Sequence, residues 1–272
     1  MTQRFLNYEL LESFVANSFT YNDRYPWFNF YQFLTAEGFQ KLYDDFPSLE
    51  LFEKHVDIQR NYTQRPHNRY YLAYEESIYT GNNKSGKGTI KHEDLPETWQ
   101  VFIEELKTNK DYENFMKSLF DVSEFVIRYA WHMGFNGSEV SPHLDGPEKI
   151  GTHIFYFNTT QDWNPDWGGS ILALEGKSTD TMNPDFTEFT SATSAQILDN
   201  HSFLFKNTSE AWHGVKALTC PEGKYRRLFN VIYEYVDARK KPNQSSLTQL
   251  LIREIDQIAT GASQFCKRIR RS

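Results

Sequence analysis

From Glu124 onward the chain is a series of short β-rich runs, at 125–131, 153–157, 170–174, 202–205 and 228–236. Turns rich in Gly, Pro, Asn and Asp separate them, and no helical pattern interrupts until about Ser246. A parallel sheet needs a crossover of a dozen or more residues between strands, commonly a helix. Its absence here predicts an antiparallel sandwich or barrel. The chain of 272 residues has room for one large domain or two small ones at roughly 100–200 residues each. With no internal repeat and no linker, a single domain over 1–272 is expected: a mostly helical portion 1–121 with one strand-like patch, a β core 122–238 and a helical tail 239–272.

Within the first portion one helix is expected after Thr35 as N-cap, with Phe39, Leu42 and Phe46 on one face before Pro47 ends the run. A second fits from Leu95 to Leu106, with Pro96 in its first turn and Trp99, Phe102, Ile103 and Leu106 on one stripe. The third fits from Tyr112 to Phe120. Gly81 to Gly88 is a polar Gly/Asn/Lys stretch with no apolar anchor, expected as a surface loop. Leu247, Leu250, Leu251, Ile255 and Ile258 fit a C-terminal helix.

Charge narrows the function classes. With 29 Lys+Arg against 36 Asp+Glu the net charge is −7, the wrong sign for binding that rests on neutralising phosphates, so nucleic acid is not expected as a partner. The basic end at Lys267, Arg268, Arg270 and Arg271 is expected to be a solvated tail. Two cysteines, Cys220 and Cys266, build neither a disulfide framework nor a Cys-rich zinc site, and fit a reducing, cytoplasmic setting. No apolar run approaches the ~20 residues that cross a bilayer. The protein is expected to be soluble, without a membrane span. Aromatic residues are abundant, with 22 Phe, 16 Tyr and 6 Trp, and predict a core packed with rings.

The residues that carry chemistry lie in the β-rich half. In Pro142-His143-Leu144-Asp145-Gly146, residues i and i+2 of a strand share a face, so His143 and Asp145 could present an imidazole and a carboxylate to one metal ion. His213, in Trp212-His213-Gly214-Val215, could complete the set. Two histidines and one carboxylate form the facial arrangement of non-haem Fe(II) oxygenases, leaving positions open for a cosubstrate and O₂. Three features accompany them in order: the strand through Phe155-Tyr156-Phe157, the Gly168-Gly169 pair, expected to let two backbones approach closely, and Arg226-Arg227-Leu228, a strand carrying a cation. A planar guanidinium suits one carboxylate of a dicarboxylic acid. Arg226 and Arg227 must point to opposite faces, so only one enters the barrel.

From about Phe125 to Tyr235 these motifs resemble the 2-oxoglutarate and Fe(II)-dependent dioxygenases, prolyl 4-hydroxylase-like branch. Loosely, the segments at Pro26-Trp27-Phe28-Asn29-Phe30, Phe33 to Glu37 and Leu95 to Trp99 resemble the helical N-terminal portion of related bacterial oxygenases. The resemblance implies an α+β fold with a mainly β core, a double-stranded β-helix (jelly roll, cupin-like) with N-terminal helices on its major sheet. It implies that His143, Asp145 and His213 bind Fe(II), that Arg226 pairs with the distal carboxylate of 2-oxoglutarate, with Arg227 as runner-up, and that Tyr156 hydrogen-bonds the same carboxylate unless it is a core aromatic. Arg226 is preferred because it aligns Leu228, Asn230 and Ile232 with the inward positions. Tyr129 is a weaker candidate for the lining. Two departures stand out: the 13 positions from His213 to Arg226 exceed the usual interval, and Leu228 replaces a small polar residue.

The resemblance further implies C–H hydroxylation coupled to conversion of 2-oxoglutarate to succinate and CO₂, with O₂ as co-oxidant and ascorbate as auxiliary reductant. Related halogenases lack the carboxylate, so Asp145 favours hydroxylation. The substrate is a small molecule or peptide: a peptidyl proline, amino acid, sugar or glycan, or natural product. The alternative is a non-catalytic jelly roll that binds a small molecule or carbohydrate. His132 and His153 are expected to be core or substrate-facing histidines, and Trp163, Trp167 and Trp212 to line a cleft or pack at the barrel rim.

Overall fold

The computed structural model describes residues 4–20, 25–58, 64–78 and 86–239. The expected C-terminal helix and most of the stretch from Gly81 to Gly88 lie outside these. The chain divides into two units after Glu234; of the second, the described residues 235–239 hold a short 3-10 turn at Val236–Arg239.

Helices α1 (Tyr8–Ser13), α2 (Ala16–Thr20), α3 (Ala36–Asp44), α4 (Glu97–Thr108) and α5 (Lys110–Phe120) precede the β core. The Thr35 hydroxyl accepts from the Gly38 amide at 3.0 Å and starts α3. Pro96 is the N-cap of α4, one position before its first turn. The Asn109 side chain accepts from the Tyr112 amide and opens α5 two residues ahead of the expected start. Trp99, Phe102, Ile103 and Leu106 are all buried, as their spacing requires.

The first portion is less helical than its sequence suggests. It contributes β1 (Trp27–Tyr31), β2 (Glu53–His55), β3 (Arg69–Tyr74) and β4 (Thr89–Ile90). The aromatic run at β1, expected among the N-terminal helices, is a strand paired antiparallel with β10 (His201–Lys206). The correction has a physical cause: five consecutive aromatic or short polar residues suit a pleated, half-buried surface, and the pairing partner lies some 170 residues away in the chain, beyond the reach of local pattern.

Two layers follow, antiparallel except where β4 joins β3 in parallel. The eight-stranded sheet runs β1, β10, β7 (Lys149–Tyr156), β12 (Arg226–Glu234), β5 (Val126–Gly134), β3, β2, with β4 beside β3. The four-stranded sheet runs β6 (Val140–His143), β11 (His213–Val215), β8 (Leu172–Lys177), β9 (Phe189–Ser194). The strands alternate cleanly. Outward Tyr129, Trp131, Phe155, Phe229 and Tyr233 pack beneath the helices, with Trp99 5.0 Å from Phe229 and 5.2 Å from Trp131, ring centre to ring centre. Inward residues of the same strands face the smaller sheet. Most rings therefore sit between helices and sheet, rather than around the central cavity as the composition suggests.

His153 belongs to this outer core. Fully buried beside Phe33 and Phe155, it meets the Ser202 hydroxyl at 3.0 Å. Burial pushes its pKa down to about 3. The unfolded chain takes up a proton near pH 6.5 that the folded chain refuses, so stability falls as pH drops from about 6.5 to about 3, by at most ~1.4 kcal/mol per pH unit for this group. In urea titrations at pH 7 and pH 5, His153→Asn should lose less stability between the two than the natural chain. An equal loss in both would show that His153 does not carry the dependence.

Candidate metal centre and anion pocket

The two histidines are brought together by sheet register. His143, last residue of β6, lies directly opposite His213, first residue of β11, and their ring centres are 4.3 Å apart. On the other side of His213 the neighbour is Ala173 of β8, which leaves room for the imidazole. Each Nδ1 lies 2.9 Å from a carbonyl oxygen two residues earlier, Ser141 for His143 and Ala211 for His213. A carbonyl only accepts, so both rings carry the proton on Nδ1 and present Nε2 as the basic atom.

Asp145 differs from expectation in one respect. β6 ends at His143, so Asp145 stands in the turn that follows, not on the strand. The turn still delivers the carboxylate. Its Oδ1 is 3.9 Å from His143 Nε2, and one ligand atom from each of His143, Asp145 and His213 lies within 4.8 Å of the others. Burial alone would raise the Asp145 pKa; Lys149, whose Nζ donates to Oδ1 at 2.6 Å, together with His213 and His143, outweighs burial and holds the carboxyl well below the usual carboxylate range. The group stays an anion. Two imidazole nitrogens and a carboxylate oxygen, nearly buried and converging on one point, fit a first-row divalent ion such as Fe(II) with coordination positions to spare.

A cavity of about 160 Å³ opens between the sheets at this point. Arg226, first residue of β12, lines it and is 7% exposed. The guanidinium carbon lies 5.2 Å from the centre of the Tyr156 ring. Arg226 Nε and the Tyr156 hydroxyl are both buried and neither reaches hydrogen-bonding geometry with a protein group, though they are close enough to bias each other's ionisation. Burial pushes the Tyr156 hydroxyl up to about 12, with Arg226 pulling the other way, so it remains a donor. A buried guanidinium Nε and a buried hydroxyl that meet no protein group in good hydrogen-bonding geometry are costly unless an anion meets them. The pair fits a carboxylate.

Arg227 points the other way. It pairs with Asp162 and lies over the Tyr43 ring at 4.4 Å on the outer face. Tyr129 is also outside, stacked on Phe229, so it does not line the cavity; odd positions of β5 face the helices. The Gly-Gly pair serves a different contact from the one expected. Gly169, at φ +100°, faces the Arg226 side chain, and a Cβ there would lie 2.8 Å from its Cδ. Gly169→Ala should therefore cost about 1–3 kcal/mol of stability and displace the guanidinium. Urea unfolding checks the first effect; an unchanged midpoint would show that Arg226 yields freely.

Trp163 is buried with its Nε1 on the Gly168 carbonyl, Trp167 packs edge-on against it, and Trp212 meets Phe189. None of the three is among the residues that line the cavity. His132 is on the inner face of β5, 3.4 Å from Asn230 Nδ2, and burial drives its pKa well below the usual histidine range. Sequence reasoning missed Lys149, Thr152, His67, Arg69 and Tyr71, all in the cavity wall. The alternation Arg69, Tyr71, Ala73 against Tyr70, Leu72, Tyr74 was the available signal for the last two.

No protein-family profile matches the chain, and no curated protein sequence does. Solved structures do. A prolyl 4-hydroxylase from Phytophthora capsici aligns with TM-score 0.54 at 12% identity, over 90% of this chain and 73% of that one. A Pseudomonas putida prolyl-4-hydroxylase gives 0.51 at 12% identity over 83% and 98%. The non-heme α-ketoglutarate-dependent carbocyclase SnoK of nogalamycin biosynthesis gives 0.51 at 12% over 82% and 85%. At such identity it is the architecture that is shared, and the architecture of this chain is the double-stranded β-helix of the 2-oxoglutarate and Fe(II)-dependent oxygenases, in the form seen in prolyl 4-hydroxylases.

Proposed function

We propose that this protein is an Fe(II)- and 2-oxoglutarate-dependent dioxygenase that hydroxylates an unactivated C–H bond, with O₂ as co-oxidant and ascorbate as auxiliary reductant. The observation that carries the reading is the pairing of two features in one cavity: three converging ligand atoms from His143, Asp145 and His213, and a buried guanidinium with an unmet donor at Arg226. A carbohydrate-binding jelly roll has no need of both.

Bound ferrous iron and 2-oxoglutarate supply the oxidising power, with succinate and CO₂ as coproducts. The chain's own residues bind and orient. His143 and His213 offer Nε2 because their Nδ1 protons are tied to backbone carbonyls. Asp145 brings a negative charge that Lys149 keeps ionised. Arg226 and Tyr156 hold the far carboxylate of the cosubstrate. Because the carboxylate is present, hydroxyl transfer is favoured over halogen transfer.

Anaerobic addition of 2-oxoglutarate to the Fe(II)-loaded protein should produce a weak visible charge-transfer band, and admission of O₂ should then yield succinate slowly without any prime substrate. A protein that gives neither band nor succinate is the non-catalytic alternative.

A further inference from the structure

We infer that Asn207 is a positioning residue of the metal centre: its side-chain amide fastens the turn that follows Asp145 and so sets where the carboxylate stands relative to the two imidazoles. The inference rests on the oxygenase reading of the same site and extends it to a residue that is not part of the cavity wall.

The three proposed ligands are not held alike. His143 and His213 belong to the small sheet, where each is paired with the other and His213 also with Ala173. Asp145 lies two residues past the end of β6, outside any strand, in the stretch by which the chain crosses from the small sheet to β7 of the large one. Both carboxylate oxygens are met from the large sheet: Lys149 Nζ donates to Oδ1 at 2.6 Å, and Thr152 Oγ1 lies 3.5 Å from Oδ2. The imidazoles therefore hang from one layer while the carboxylate is steadied by the other. Their relative placement depends on what ties the crossing chain down.

Asn207 supplies that tie. A second crossing leaves the large sheet at the end of β10 and reaches His213 at the start of β11, and Asn207 is its first residue. Its backbone amide donates to the Ile150 carbonyl at 2.8 Å, one step beyond the β10–β7 pairing. Its side-chain Nδ2 donates to the carbonyls of Gly146 at 2.9 Å and Lys149 at 3.0 Å, the two ends of the turn Gly146-Pro147-Glu148-Lys149. The Lys149 amide closes that turn on the same Gly146 carbonyl at 3.1 Å, with Pro147 in the position where a β-turn favours it. Both protons of one NH₂ are used, so a group of the same shape without them cannot replace it. Gln64 Nε2 adds a longer bond, 3.3 Å, to the Leu144 carbonyl.

The crossing to His213 is braced separately. The Ala211 amide donates to the Thr208 carbonyl and the Tyr25 hydroxyl to the Trp212 carbonyl, each at 3.2 Å, and the Ala211 carbonyl holds His213 Nδ1. Loss of the Asn207 amide therefore falls on the Asp145 side.

The test is a double-mutant cycle on metal affinity, with the untagged full chain freed of iron. Ni(II) is the probe, because such sites hold it more tightly than Fe(II) and a site short of one ligand stays measurable. Dissociation constants come from competition with a chromophoric chelator. Asn207→Ala should weaken binding by about tenfold or more, within the range for the partners of metal ligands. Asn207→Asp, which keeps the size but puts an acceptor where the donors were, should weaken it at least as much. In the Asp145→Ala background the same Asn207→Ala change should alter the constant by less than about twofold, because residues that act through one interaction do not add. A purely structural role would weaken binding equally in both backgrounds. Such an equal loss, or an unchanged constant in Asn207→Ala, overturns the inference. Thermal unfolding of each apo variant is measured alongside; should Asp145→Ala not fold, Asp145→Asn takes its place in the cycle. A natural chain that binds no Ni(II) fails at the metal-centre reading itself, a result distinct from a natural chain that binds it no better than Asn207→Ala does.

Discussion

Replacement of His143 or His213 by alanine is expected to reduce Fe(II) retention and succinate formation by more than about 100-fold, because even the partners of metal ligands are worth about 10–100-fold and these are the proposed ligands themselves. Each variant removes one of three atoms that lie within 4.8 Å of one another, and no other described His, Cys, Asp or Glu group converges there to replace it. The two substitutions should be equivalent, since register places the residues opposite each other and each is oriented by its own backbone carbonyl. Asp145→Ala should be as damaging to iron binding and should carry a further cost, for Lys149 would then be left facing the cavity without its partner. Metal content after anaerobic loading and dialysis, measured alongside thermal unfolding of the apo variants, separates lost ligation from lost fold. Full iron content with full succinate yield in any of the three would sink the assignment of that residue.

How much of this was legible beforehand depended on the range of the interaction involved. His143, Asp145 and His213 could be read because the short motif and the distal histidine, weak alone, occur in order with the Gly168-Gly169 pair and the Arg226 strand, and together resemble the 2-oxoglutarate dioxygenases. Strand alternation admits only one of Arg226 and Arg227, and the resemblance favours Arg226 because it aligns Leu228, Asn230 and Ile232 with the inward positions; Arg227 meets Asp162 and Tyr43 on the outer face. The helical stripe of Trp99, Phe102, Ile103 and Leu106 is a local pattern and was equally plain. What could not be read was long-range pairing. β2 is three residues long and has no periodicity to detect. β1 depends on β10, and the cavity wall made by Arg69 and Tyr71 exists because β3 adds to β5. The destination of the rings was hidden for the same reason: Phe155 and Tyr156 are neighbours in sequence, yet one packs under the helices and the other beside Arg226.

Arg226→Gln is expected to raise the KM for 2-oxoglutarate by about 10²-fold or more, corresponding to the 2–5 kcal/mol typical of a buried, hydrogen-bonded charge pair that loses one member. At saturating cosubstrate the turnover number should fall far less, since the interaction is made equally in the ground and transition states. Arg226→Lys should be intermediate, because it keeps a charge but loses the planar fork, and Tyr156→Phe should cost about tenfold through one hydrogen bond. Arg227→Gln provides the contrast. Its ion pair with Asp162 is partly solvated, with side chains 20% and 25% exposed, so its loss should cost no more than about 1 kcal/mol of stability and leave the KM within about twofold. Thermal unfolding adds an independent readout: a ligand that binds the folded chain stabilises it by an amount that grows with the logarithm of its concentration over the dissociation constant. Cosubstrate that raises the midpoint of the natural chain and of Arg227→Gln should leave Arg226→Gln unmoved at the same concentration. The reverse pattern would transfer the cosubstrate contact to the outer arginine and with it the strand phase of β12. Loss of the shift in both variants would instead implicate the fold of the strand, because Arg226 and Arg227 share a backbone but not a face.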